Sequence, residues 1–161
     1  MKNKFISTSE ALQKLQHYCA YQERCHQEVR QKLLDLGVYG DRLEEVMVAL
    51  IEDNFLNEER FARTFARGKF EFKNWGKIKI VQELKKRHIT SYCIQKGLEE
   101  IENSQYETKL YVLIAKKSAT LEYENEYERK AKLAAYALQK GFESEKVWET
   151  VQRFLHEGNT P

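Results

Sequence analysis

Ten cations lie between residues 60 and 87: Arg60, Arg63, Arg67, Lys69, Lys73, Lys77, Lys79, Lys85, Lys86 and Arg87. Residues 57–96 carry 11 Lys/Arg against 4 Asp/Glu, a local balance of +7, while 1–56 carry 7 against 9 and 97–161 carry 9 against 12. The overall charge of +2 hides this positive middle third. Arginine forks and lysine point charges suit carboxylates and phosphates alike, so the chemistry on offer is recognition of a polyanion. A solvated helical surface is the plain alternative. At 100° per residue, Phe61, Ala62, Phe65 and Ala66 share one face of a helix over 58–69, and Arg60, Arg63 and Arg67 form an outward stripe. In the helix that follows, Ile80, Val81 and Leu84 turn inward. Lys79, Gln82 and Lys86 then turn outward, with Lys77, Lys85 and Arg87 beside them. Trp75, just before Gly76, could stack on a base or seat the turn between two helices, and the turn is the expected use. Phe70, Phe72 and Tyr92 are expected to pack in the core or between units.

Little else suggests chemistry. His17 and Cys19 point 200° apart on a helix, and Cys19 and Cys25 are six apart, so with His26 they do not make a four-ligand metal spacing. No Gly-rich phosphate loop, nucleophile elbow or placed carboxylate pair is visible, so neither an enzyme nor a cofactor is expected. Three cysteines are too few for a disulfide framework and fit a reducing compartment. The longest apolar runs, 46–51 and 110–115, are far short of the roughly 20 residues a membrane helix needs. The opening "MKNKFISTSEAL" has no apolar signal region, so a cytoplasmic protein is expected. The run "EYENEYE" (122–128) is expected to be a solvated edge.

The elements that must position the cations are helical. The sole proline is Pro161, and Leu, Lys, Glu, Gln, Arg and Ala run throughout, which predicts an all-α fold. Ser7-x-x-Glu10 and Asp41-x-x-Glu44 have capping-box spacing, and Gly37 and Gly141 sit where helices should end. A pattern recurs without gaps in 29–51, 80–101 and 133–155. It aligns Val29, Ile80 and Leu133, then Leu33, Leu84 and Ala137, then the breaks Gly37, His88 and Gly141. Val38, Ile89 and Phe142 follow, then Leu43, Ile94 and Val147, then Met47, Leu98 and Val151, and last Leu50, Ile101 and Phe154. With one further helix before each copy, the chain reads as three three-helix repeats over 5–56, 57–104 and 105–157, which support one another as repeats do.

The middle of the chain carries Glu59-Arg60-Phe61-Ala62, then Trp75-Gly76, then the basic helix Ile80 through Ile89. In these motifs it resembles the RecX family of bacterial recombination regulators. The resemblance extends to "CHQEVRQKLLDLGV" (25–38), where Cys25 takes the family's usual Ser position, and is weaker in the third repeat. It implies three tandem three-helix bundles in an elongated, curved single chain that acts as a monomer. It also implies binding to the RecA filament on single-stranded DNA. There the protein would restrain ATP hydrolysis, strand exchange and coprotease activity, and so modulate recombinational repair and the SOS response. Contact with single-stranded DNA would be weak or made through the filament. A stand-alone DNA-binding helical module, or a helical adaptor for some other protein, would also use such a surface.

Overall fold

The computed structural model describes residues 5–158. Residues 1–4 and 159–161, which include the sole proline and the start of the charged opening stretch, lie outside the described residues. The described residues form nine α-helices and no strand. In order these are α1 (Thr8–Tyr21), α2 (His26–Asp35), α3 (Gly40–Glu52), α4 (Glu58–Lys73), α5 (Lys77–Lys86), α6 (Ser91–Leu98), α7 (Asn103–Thr120), α8 (Glu126–Gln139) and α9 (Ser144–Gly158).

The breaks between helices follow from backbone chemistry. Gly37, His88 and Gly141 all adopt left-handed φ, at 80°, 59° and 97°. At each break the next residue's amide turns back five residues, Val38 to Leu33, Ile89 to Leu84 and Phe142 to Ala137. His88 thus performs the glycine role with a side chain attached, a conformation His tolerates better than most residues. Ser7 caps α1 by accepting the Glu10 amide at 3.1 Å. The second capping prediction fails. α3 begins at Gly40 with Tyr39 as its cap, and Asp41 lies inside the first turn. Gly37 and Gly40, both left-handed, turn the chain into the helix before Asp41 is reached.

The described residues pack as two compact units, 5–65 with 84–97, and 66–83 with 98–158. In the first, α1, α2 and α3 pack on one another around Leu15, Val29, Leu33, Val38 and Leu50, none of which is exposed. The same unit seats α6 on α4: a Cβ at Gly97 would lie 2.7 Å from the Ala62 carbonyl oxygen, so only glycine permits the approach. In the second, α7, α8 and α9 pack on one another around Leu110, Ile114, Leu133, Val147 and Val151. Burying each such aliphatic side chain stabilises the fold by about 1.5–3 kcal/mol. Every apolar position of the threefold pattern is buried except Leu98 and Phe154, which are half-buried.

Candidate polyanion-binding surface

The ten predicted cations divide between the two units. The first unit holds Arg60, Arg63, Lys85, Lys86 and Arg87. Arg60 is tied inward: its Nε donates to Glu23 Oε1 at 2.6 Å, and its Nη2 donates to the carbonyls of Asn54 and Phe55 at 3.0 and 3.2 Å. It joins the end of α1 to the α3–α4 turn, so its position in an outward stripe does not describe its role. Arg60→Ala is expected to cost about 1–2 kcal/mol in urea unfolding, because it strands a part-buried carboxylate whose Oε2 already has no partner. An unchanged midpoint would refute this structural role. Arg63 pairs with Glu59 one turn earlier at 3.2 Å, and the Arg87 guanidinium lies 4.9 Å from the centre of the Phe65 ring. Lys85 and Lys86 are exposed.

The second unit holds Arg67, Lys69, Lys73, Lys77 and Lys79. Arg67 and Lys73 are exposed, and the Arg67 Nη1 lies 3.4 Å from Glu100. Trp75 is half-buried, with the Lys69 and Lys79 ammonium groups 5.0 and 4.7 Å from its ring centre. The turn that follows it is a backbone-to-backbone contact. The Gly76 amide donates to the Lys140 carbonyl at 2.8 Å, and the Ile78 amide to the Gly141 carbonyl at 2.9 Å. Lys77 serves the same joint: its amide donates to the Tyr106 hydroxyl at 3.0 Å, and its ammonium lies 4.7 Å from that ring's centre. The Tyr106 hydroxyl in turn donates to Glu143, and its ring links those of Phe70 and Phe142 at 5.8 and 5.1 Å. Burial, then the bond to Glu143, raises the Tyr106 pKa well above its usual value.

Several contributors had no signal in the cation pattern. Lys109 donates to the Phe70 and Glu71 carbonyls at 2.7 and 3.1 Å and so caps the last turn of α4; burial lowers its pKa. Tyr106 drew no reading from the sequence, and Gly141 read only as a helix end. Of the aromatics expected to be packed, Phe70 is buried, but Phe72 is 80% exposed and Tyr92 65%. Phe72 falls two residues, or 200°, round α4 from Phe70 and so faces away from the core. Cys19, Cys25 and Cys93 are buried thiols, and burial pushes Cys19 and Cys25 up to about 11, against reactivity. In "EYENEYE", Asn125 caps α8 by accepting the Glu128 amide at 2.8 Å, and Tyr127 is 85% exposed. None of the helices among the described residues is long and apolar enough to cross a membrane.

Two family models match in sequence. The one described as RecX, second three-helix domain, covers residues 57–98, and the one described as RecX, third three-helix domain, covers 105–151. A "Regulatory protein RecX" of Prosthecochloris aestuarii is 29% identical over 150 residues, 92% of this chain and 95% of that one. Another, from Oceanobacillus iheyensis, is 24% identical over 137 residues, 85% of this chain but half the length of the relative. The fold matches the crystal structure of RecX from Lactobacillus salivarius with a TM-score of 0.83 at 21% identity, covering 92% of this chain and 97% of that one. With matched three-helix domains over more than half its length, this chain is a member of the RecX family.

Proposed function

We propose that the protein regulates RecA by binding its filament on single-stranded DNA and restraining ATP hydrolysis, strand exchange and coprotease activity. It does so as a monomeric binding protein in the cytoplasm, through three repeats over 5–56, 57–104 and 105–157. Kinship to proteins named as regulatory RecX supports the regulatory part. The observation that carries the polyanion target is the set of exposed cations Arg67, Lys73, Lys85 and Lys86 within the stretch matched to the second domain. Phosphates and acidic protein surface both attract such groups.

The experiment is a titration of RecA ATP hydrolysis on single-stranded DNA, alongside binding to the bare DNA. Inhibition well below the Kd for bare DNA is the expected result; inhibition that only follows competition for the strand would sink the reading. Changing Lys73, Lys85 and Lys86 together to Ala is expected to weaken inhibition roughly 3- to 100-fold, at about 0.2–1 kcal/mol per exposed charge. Stability should stay within about 0.5 kcal/mol of the parent.

A further inference from the structure

Phe72 has no packing explanation. It is 80% exposed, on a helix whose Phe70, two residues earlier, is 4% exposed and stacked on Tyr106. One turn before it stands Gly68, where a Cβ would meet nothing within 4 Å. A glycine inside a helix weakens it, and no close approach requires this one. Its effect is to leave bare space beside an exposed ring. Cations and aromatics are interleaved from there on, at Lys69, Phe72, Lys73, Trp75, Lys77 and Lys79, with the exposed Glu71 as the one acid over 69–79. Two ammonium groups, of Lys69 and Lys79, lie within about 5 Å of the Trp75 ring centre. Next to this stretch an open trough of about 520 Å³ runs from Asn74 along α7, past Lys109, the 41% exposed Val112 and Lys116, with no acidic residue in its lining.

We infer that Phe72, with Lys69, Lys73 and Trp75, is a stacking surface for the unpaired bases of single-stranded nucleic acid, whose phosphates are met by Lys73 and, across the acid-free trough along α7, by Lys116. A strand presents alternating flat rings and negative charges, and proteins that bind it without sequence preference meet it with aromatic faces set among cations. The inference deepens the filament reading and rests on its positively charged surface, and it adds a direct contact with bases.

The test is fluorescence anisotropy with the whole chain at one fixed low salt concentration. The probes are a labelled oligothymidylate, an abasic deoxyribose-phosphate oligomer of equal length, and a duplex. Phe72→Ala should weaken oligothymidylate binding roughly 5- to 100-fold, the loss expected for one base–aromatic stack. It should leave abasic and duplex binding within about twofold, since those probes use phosphates alone. Phe72→Tyr should restore the preference for bases, and both variants should melt with the parent because the ring is exposed. Equal binding of Phe72→Ala and parent to oligothymidylate overturns the inference. So does a variant that loses RecA inhibition while binding oligothymidylate normally, which would make Phe72 an anchor for acidic protein surface. If instead the parent fails to inhibit RecA while the base-dependent loss at Phe72 remains, the filament reading fails and the stacking surface stands.

Discussion

Gly76→Ala is expected to lower the melting temperature by roughly 10–15 °C, about 3–5 kcal/mol. A Cβ at this position would lie 2.3 Å from the Gly141 carbonyl carbon and 2.4 Å from both its oxygen and the Phe142 nitrogen. All three are backbone atoms, so no rotamer change relieves the clash. The start of α5 would have to lift from the α8–α9 turn, giving up the Gly76 and Ile78 amide bonds to Lys140 and Gly141. Each such bond contributes about 0.5–1.5 kcal/mol net, and an orphaned buried amide costs more. Gly141 meets the same constraint from the other side: its φ is 97°, and its Cβ would lie 2.3 Å from that of Lys79. The matched control is Gly68→Ala, at which the new methyl meets nothing. It should stabilise by about 0.5–1 kcal/mol, through helix propensity and a less disordered unfolded chain. Thermal scans of the two variants test the contact directly. Should both raise the melting temperature, the docked turn does not exist.

Tyr106→Ala should cost about 3–5 kcal/mol, as removal of a large buried aromatic usually does. The ring is 1% exposed and lies between Phe70 and Phe142. Tyr106→Phe separates the hydroxyl from the ring. It keeps the stack but leaves the Lys77 amide and Glu143 without their partner, at about 1–3 kcal/mol. Alkaline titration gives a second readout. Because folding raises the Tyr106 pKa above its usual 10.0, the folded state holds this proton more tightly than the unfolded chain. The resulting stability is fully present below pH 10 and is lost as pH rises beyond it. Cys19 and Cys25, raised from 9.0 to about 11, act in the same direction from pH 9 upward. Urea midpoints should therefore fall from pH 9, and the decline above pH 10 should be shallower in Tyr106→Phe. Parallel curves for parent and variant would show that Tyr106 titrates as if exposed.

Much of the fold was legible because helices are local. The apolar period of 3.6 put Val29, Ile80 and Leu133 in equivalent buried places, and all three are fully buried. The repeat assigns His88 to a glycine position, and its φ of 59° bears that out. Ser7 as a cap needs only four consecutive residues to specify it. The Asp41 cap failed because two nearby left-handed glycines redirected the chain, and spacing alone does not encode their turn.

The sequence determined that ten cations gather in the middle third, and which helix faces are apolar. Tertiary structure alone decided what each cation does. Arg60 and Lys77 lie on helix faces that periodicity marks as outward. A distant Glu23 draws one into a structural tie, and Tyr106 draws the other onto a ring. Conversely Phe72, apolar and expected to pack, is left in the open because α4 has already spent its inward face on Phe70. Periodicity reports the angle of a side chain about its own helix. It carries no information on partners 29 or 37 residues away, and those partners separate a cation that holds the fold from one exposed to a polyanion.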